Sequence, residues 1–458
     1  MKPTLLITND HRDITGGGTY VMMILNILKN HYTLYAESAI DYYTRESTPW
    51  RLNTEEIHKA DKLFIPDIHL YASYGGWTPP LGKKNIQITF FPQIKNINGW
   101  EIFFVLNDFC KEACRRLWNF EGSIVTPYFD ESNYFIKEKK NTIINVGQYF
   151  YEEDGHSKNQ HLIIDWFKNQ NKVDKLICHG MINNAQYFDQ LKIMAENDSR
   201  IEIKGNSSQD EIRSDLAESK YMLHAIGYGR TNPAQSEHFG LVAVEALLSG
   251  CQPIVHNSGG CKDIPGVLVY NNFDEINLTE TNPIKLREFG LQYNMKNTEQ
   301  QILKSLLSKL NLGCGNDYRD GYINVDIGNC KKDVEHNLED FPYPFADNEF
   351  DEIIMIHCIE HISRDNFPKL VQELHRISAP TANIFIDAPY YLSRNAFTDF
   401  THKNFMTEES FGYFDVSHPL RKLGKIYGFD FEFRVSASLD RDRFDPEVNV
   451  KYQLKPIK

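Results

Sequence analysis

Short apolar runs alternate with amphipathic stretches along almost the whole chain, a pattern that predicts α/β domains built on parallel sheets. TLLIT at 4–8 reads as the first strand; Gly16, Gly17 and Gly18 follow, then the apolar helical stretch TYVMMILNILKN. Further strands are expected at KLFIP (62–66), IQITFF (86–91), IFFVL (102–106) and SIVTP (123–127). The charged stretch KEKKN at 137–141 is expected to be a hinge, because a new strand-and-glycine series opens after it with TIINVG (142–147). That series continues through KLICHG (175–180), RIEIKG (200–205), YMLHAIG (221–227) and QPIVHN (252–257), each followed by a helical pattern. A periodic stretch from 284 to 308 reads as one closing helix. KLNLGCG then starts a third series with no flexible linker before it.

A length of 458 residues accommodates about three domains of roughly 150 residues. The boundaries expected are 1–138, 139–308 and 309–458. With 41% hydrophobic and 24% charged residues the composition is that of a soluble globular protein. A net charge of −13 argues against nucleic acid as a partner. Eight cysteines without a CxxC pair suit a reducing compartment. The N-terminal apolar run is too short for a secretory signal, and no stretch approaches the roughly 18 apolar residues of a membrane span. A cytoplasmic protein is expected.

SEHFGLVAVEALLSGCQPIVHNSGG at 236–260 places Glu237 and Glu245 eight residues apart around an expected helix start, with Gly259 and Gly260 after the next strand. Two turns of helix separate such carboxylates by about 12 Å along the axis. Carboxylates only accept hydrogen bonds, so hydroxyl donors suit them. The amides of Phe239, Gly240 and Leu241, at the helix N-terminus, suit phosphate, and Gly240 would let a ligand approach the backbone. Hydroxyls at both ends and phosphate between describe a sugar nucleotide. Spacing alone fits a capped surface helix with two solvated glutamates equally well.

The Glu-x7-Glu segment, followed by HNSGG, resembles the donor-site signature of retaining glycosyltransferases of the GT-B fold, in the large family that includes mannosyltransferases of lipid-linked oligosaccharides. The likeness spans 1–308, is strongest at 221–265, and includes VGQ…GHSKNQHLIIDWF at 146–167. It implies two Rossmann-like domains, Glu237 on the donor sugar hydroxyls and Glu245 on the ribose. It also implies the amides of 239–241 and the side chain of Lys158 on the diphosphate, with Gly16, Gly17 and Gly18 lining the cleft from the N-terminal half. No metal is expected. The family usually has VGR where this chain has Val146-Gly147-Gln148, and Arg230 could replace the missing cation. His224 is a candidate pocket residue, with a satisfied core histidine the preferred reading.

LNLGCGNDYRDGYINVDI (310–327) sets a strand, Gly313-x-Gly315, a turn, and a strand ending in Asp326. Glycines let a ligand pass over the strand tip, and an acid at the next tip can grip a ribose diol. Tyr318 stands where a nicotinamide site prefers a third glycine, and Asp326 arrives only 13 positions after Gly313 rather than about 20. HNLEDFPYPFADNEFDEIIMIHCIEHI (336–362) and DFTHKNFMTEESFGYF (399–414) complete a resemblance to class I S-adenosylmethionine-dependent methyltransferases. That implies a third Rossmann-like domain over 309–458. Gly313 and Gly315 would border the methionine moiety, Asp326 would meet the ribose, Asn337 and Leu338 would lie near the adenine, and His357 would face the active site. His402 is the preferred catalytic base, with Asp399, His361 and Asp387 as the other candidates. HCIEH at 357–361 also fits the H-x-x-E-H pattern of zinc proteases, which needs one continuous helix and a third ligand downstream. Here His357 is expected to end a strand, so no zinc is expected.

The combined expectation is a bifunctional enzyme. A nucleotide-diphosphate sugar would donate to a glycan or glycolipid acceptor with retention, and S-adenosylmethionine would methylate a sugar hydroxyl. A lipid-linked acceptor would bring peripheral membrane contact. The rival is an active glycosyltransferase carrying a non-catalytic methyltransferase-like domain.

Overall fold

The computed structural model describes residues 2–9, 16–38, 40–46, 48, 50–60, 64–72, 78–92, 97–151, 153 and 157–458. These divide into two compact units, Met1–Ser305 and Leu306–Lys458. In the first unit β1 (Thr4–Asn9), β2 (Thr33–Ala36), β3 (Ile57–Lys59), β4 (Ile68–Ala72), β5 (Lys84–Thr89), β6 (Ile102–Val105) and β7 (Ser123–Ile124) form a parallel sheet. Its strand order is β3-β2-β1-β4-β5-β6-β7. The helix Gly16–Leu28 buries Tyr20 to Leu25, Ile27 and Leu28, as a helix apolar on nearly every side must.

KLFIP is not a strand where it is described. Phe64 to Pro66 lack regular structure and Ile65 is 72% exposed; Lys62 and Leu63 lie outside the described residues. Pro66 has no N–H for a ladder, so pairing begins two residues later, in the fully buried IHLYA of β4. β2 and β3 have four and three residues, too few alternations for a periodicity reading to register.

The second sheet is also parallel: β8 (Lys140–Val146), β9 (Lys175–Gly180), β10 (Ile201–Gly205), β11 (Ser219–His224), β12 (Gln252–His256) and β13 (Leu268–Tyr270). They lie in the order β10-β9-β8-β11-β12-β13. The closing helix expected over 284–308 is two helices, Pro283–Leu291 and Met295–Leu306. Asn294 opens the second by accepting from the amide of Asn297 at 3.0 Å. That helix returns to the N-terminal half. Gln301 accepts from the amide and hydroxyl of Thr126 at 2.8 and 3.0 Å, and Glu299 meets His31 at 2.6 Å.

Within the KEKKN stretch, Lys139 fastens two helix ends together. Lys139 Nζ donates to the carbonyls of Leu216, Ala217 and Ser249 at 3.1, 2.7 and 2.7 Å. These carbonyls close the helices Gln209–Glu218 and Leu241–Leu248, where a cation is favoured. Burial pulls its ammonium down to about 8, against a smaller upward pull from Cys251.

The second unit holds β14 (Ser308–Leu312), β15 (Ile323–Asp326), β16 (Val334–Glu335), β17 (Phe350–Ile356), β18 (Ser378–Pro389), β19 (Glu432–Leu439) and β20 (Asn449–Ile457). The order is β16-β15-β14-β17-β18-β20-β19, with β20 antiparallel to both neighbours. Its core joins Leu310, Leu312, Ile353, Met355, Ile384 and Ile386 from the central strands.

Replacing Lys139 by Met should strand three carbonyls and destabilise the first unit by about 1–3 kcal/mol. Lys137→Met, at an exposed ion pair with Glu218, should cost about 0–1 kcal/mol. Chemical unfolding of both variants checks the contrast.

Candidate active sites

In each parallel sheet the connections diverge where the strand order reverses, leaving a crevice at the carboxyl ends of two neighbouring strands. In the second sheet those strands are β8 and β11. β8 runs out at Gly147, where a Cβ would press to 2.8 Å from Lys158 Cγ, so the glycine makes room for the lysine stem. Beyond β11 the chain turns through Gly227 and Gly229, both at positive φ, and reaches Glu237. Glu237 Oε2 lies 3.6 Å from Lys158 Nζ and 3.4 Å from His224 Nε2. Burial pushes this carboxyl upward, but Lys158, the contact with His224 and the nearby His238 outweigh it and hold it well below the usual carboxylate range.

The helix Leu241–Leu248 starts after Gly240, whose φ of 96° is left-handed. A Cβ there would also meet Cys261 Sγ at 2.4 Å. Gly240 thus serves the backbone's own packing, as do the paired glycines of HNSGG. A Cβ on Gly259 would lie 2.1 Å from the Glu237 carbonyl oxygen and one on Gly260 2.3 Å from that of His238. The Gly260 amide donates to the Glu237 carbonyl at 2.9 Å. The amides of Phe239, Gly240 and Leu241 precede or open the helix, so no preceding turn accepts from them.

Glu245 sits on the next turns of that helix and accepts from the Tyr134 hydroxyl at 3.0 Å. Burial raises its carboxyl, opposed by that hydrogen bond and by Arg213. The Arg213 guanidinium lies 5.5 Å from the centre of the Tyr134 ring. The two glutamates of the motif therefore shift in opposite directions.

The structure brings Glu237, Lys158 and His224 together and carries Glu245 on the helix that Leu241 opens. His224, read from sequence as a core histidine, belongs to this cluster; its place at the end of YMLHAIG, a strand tip, was the available signal. Arg230 closes the turn after Gly227, its amide on the Gly227 carbonyl at 3.0 Å. Gly16, Gly17 and Gly18 are the first turn of a helix and not a loop. Within GHSKNQ, Gly155 and His156 lie outside the described residues. Sequence reasoning also missed Asn107 and Phe91 from the N-terminal half. Asn107 Nδ2 donates to the His238 carbonyl at 2.6 Å, and Phe91 stacks on the His238 ring at 4.8 Å.

The second unit has its crevice between β14 and β17. Gly313 has φ +66° and a Cβ there would meet Cys358 Sγ at 2.2 Å, whereas Gly315, at φ +50°, faces open space. Asp326 ends β15 and takes the amides of Gly315 and Gly328 at 2.8 and 2.6 Å. It thereby ties two loops while keeping further lone pairs for a ligand. Asn337 accepts from the Glu339 amide at 3.1 Å, and the buried Leu338 offers its carbonyl to Tyr343 at 2.8 Å.

His357 follows β17 at φ 47°, with Nδ1 3.6 Å from Glu360 Oε1. The Glu360 carboxylate beside it raises its pKa, burial lowers it, and Asp387 and Asp440 add to the rise. Asp387, on β18, has a buried Oδ1 without a hydrogen-bond partner among the described residues, and its Oδ2 is 3.7 Å from Lys451 Nζ. Burial raises the Asp387 carboxyl against the pull of Lys451 and His357. Asp399 spends Oδ1 on the amide and hydroxyl of Thr401 at 2.8 and 2.7 Å. His402 is nearly buried, its Nδ1 3.0 Å from the Ala396 carbonyl. The H-x-x-E-H motif is no single helix: His357 trails a strand and Ile359–His361 form one short 3-10 turn.

Residues 129–272 match the family model for Glycosyl transferases group 1, and residues 307–386 match a Methyltransferase domain model. Over 94 residues the chain is 33% identical to GDP-Man:Man(3)GlcNAc(2)-PP-Dol alpha-1,2-mannosyltransferase of Mus musculus. That match covers 19% of this chain and 18% of the mouse protein, so the chain spans less than a fifth of that relative's length. Among solved structures, the apo form of lipopolysaccharide outer core galactosyltransferase WaaB is similar with a TM-score of 0.50 at 11% identity, covering 67% of this chain and 99% of that one. A glycosyltransferase from Rickettsia africae ESF-5 gives 0.49 at 14% identity, covering 66% and 97%. The chain carries a group 1 glycosyltransferase segment in a GT-B fold, followed by a separate methyltransferase domain.

Glu237 titrates below its ordinary value of 4.5, so its stabilising effect is full above that pH and is lost as pH falls through the lower folded value. The stability gap between the wild type and Glu237→Gln should be constant near neutrality and shrink below pH 4.5, as measured by unfolding across an acid series. Gly313→Ala, clashing and left-handed, should destabilise the second unit by about 1–3 kcal/mol. Gly315→Ala meets no atoms and should cost only about 1 kcal/mol, from its backbone alone. Thermal unfolding of the pair separates the two cases.

Proposed function

We propose that the chain is a two-activity transferase: it moves a sugar from a nucleotide-diphosphate donor to a glycan or glycolipid, and a methyl group from S-adenosylmethionine to a sugar hydroxyl. The observation that carries the first half is Glu237, held ionised beside Lys158 and His224 just ahead of a helix N-terminus. Glu237 accepts from donor sugar hydroxyls and Glu245 from the ribose. The amides of Phe239, Gly240 and Leu241, with Lys158, take the charge that the diphosphate gains as the glycosidic bond breaks. Arg230 serves as a further phosphate contact, since Gln148 stands where a cation is usual. Gly16, Gly17 and Gly18 contribute amides of a second helix N-terminus. Transfer proceeds with retention, the donor sugar leaving and arriving on one face.

The printed name of the mouse relative describes a dolichyl-pyrophosphate oligosaccharide as acceptor, which supports a lipid-linked glycan here. No helix among the described residues is long and apolar enough to cross a membrane, so such an acceptor would be reached from the membrane surface.

In the second half, Gly313, Gly315 and Asp326 cradle the methionine and ribose of the methyl donor, with Asn337 and Leu338 beside the adenine. The acceptor oxygen attacks the methyl carbon of the sulfonium, S-adenosylhomocysteine leaves, and the hydroxyl proton passes to a base. We assign that base to Asp387 in preference to His402 and Asp399. Its unpartnered oxygen, its raised pKa and the neighbouring His357 fit a proton acceptor, whereas Asp399 is engaged with Thr401.

Screening uridine- and guanosine-diphosphate sugars and S-adenosylmethionine for thermal stabilisation should give one hit from each class, each worth about 2.7 kcal/mol at 100 times its Kd. Glu245→Ala should abolish the first hit only. Lys158→Ala should lower sugar transfer by about 10²–10³-fold, and Asp387→Asn methyl transfer by about 10²–10⁴-fold. In a chase with labelled methyl donor, label recovered only on protein or nucleic acid would overturn the sugar-hydroxyl assignment.

A further inference from the structure

Glu360 is 1% exposed, and its Oε2 has no hydrogen-bond partner among the described residues. Its Oε1 lies 3.6 Å from His357 Nδ1 and 4.0 Å from His402 Nε2, too far for good hydrogen bonds. A carboxylate taken out of water and left so poorly partnered is costly unless a cation joins it. The main chain holds it in place. The Glu360 carbonyl accepts from the amides of Lys403 and Asn404 at 2.7 and 3.0 Å, and Asn404 Nδ2 donates to the Ile362 carbonyl at 2.5 Å. The loop bearing His402 is thus locked onto the turn bearing Glu360 and His361.

The two histidines are fixed in tautomer by their outer partners. His402 Nδ1 faces the Ala396 carbonyl, which can only accept, so Nδ1 carries the hydrogen and Nε2 the lone pair. His361 Nδ1 faces the Thr401 hydroxyl at 3.0 Å. That hydroxyl has one proton, and it goes to the Asp399 carboxylate at 2.7 Å. His361 must therefore donate through Nδ1, which leaves its Nε2 with a lone pair. One ring nitrogen from each histidine and one Glu360 oxygen lie within 4.8 Å of one another.

We propose that Glu360, His361 and His402 form a binding site for a divalent transition metal of the zinc class, a site not expected from the sequence. Two imidazoles and a carboxylate are a common donor set for Zn²⁺ and its neighbours, and three protein ligands leave a position for a water or substrate oxygen. The carbonyl of Ala396 and the Thr401–Asp399 pair supply the outer hydrogen bonds that metal-binding histidines ordinarily have. Asp399, a poor candidate for a base, thereby gains a role as an orienting group. The site goes beyond the proposed methyl transfer and is independent of what the methyl donor serves.

The test uses the full chain, stripped with a chelator and titrated with Zn²⁺ by calorimetry, with Co²⁺ absorption as a readout of nitrogen ligation. The expected result is one equivalent bound with a raised unfolding midpoint, and at least 100-fold weaker binding in Glu360→Gln. His361→Ala, at a half-buried position, provides the same test should the glutamine variant fail to fold. Thr401→Val should weaken binding by about 10–100-fold without abolishing it, the usual loss for an outer partner. A competing group, Cys314 with Asp326 and Cys330, is controlled by Cys330→Ser, which should bind as the wild type does. No binding by the wild type, unchanged binding in Glu360→Gln, or loss in Cys330→Ser would each overturn the site. Metal binding with no labelled sugar product would leave this inference standing and reject the methyl-transfer reading alone.

Discussion

Parallel strands deliver all their connections to one edge of a sheet, and where neighbouring connections part to opposite faces that edge cannot be filled by the chain itself. This constraint recurs three times here, between β1 and β4, β8 and β11, and β14 and β17. Each candidate ligand group described above stands at one of these openings. Glu237 and Lys158 flank the second, Gly313, Asp326 and His357 the third, and the helix opened by Gly16 to Gly18 follows β1 at the first. The chemistry differs between openings because the loops differ, while the opening itself follows from strand order.

Local electrostatics then separate residues that look alike in sequence. Glu237 and Glu245 belong to one motif, yet the first has a lysine and a histidine at 3.6 and 3.4 Å and the second a tyrosine hydroxyl. One is held firmly ionised and the other is pushed toward neutrality. In the methyltransferase unit the same logic divides Asp387, with an unpartnered buried oxygen, from Asp399, already committed to its own loop.

Much of this was legible from residue order alone. Strands such as TIINVG and KLICHG are long, apolar and punctuated by glycine, so their existence follows from periodicity, and the two motifs stand at strand tips where a ligand-binding reading places them. What escaped was short or depended on distant partners. β2 and β3 are too brief to show a period, and KLFIP carries a proline that forbids the ladder its apolar residues suggest. Lys139 looks like one of several solvated lysines until two helix ends converge on it. His224, Asn107 and Phe91 are ordinary in sequence and gain meaning only from residues 13 to 147 positions away. The glycines of HNSGG were legible as a turn, but their reason is the backbone of Glu237 and His238 pressed against them.

His238 has one further consequence. Its ring rests on Phe91 and its carbonyl is held by Asn107, which follow β5 and β6 of the first sheet, while its chain neighbour is Glu237. Glu237 is therefore tied, through the very next peptide, to loops that follow strands of the first sheet. Any displacement of the Phe91 ring or of the Asn107 amide would be passed to the Glu237 carboxylate through one peptide.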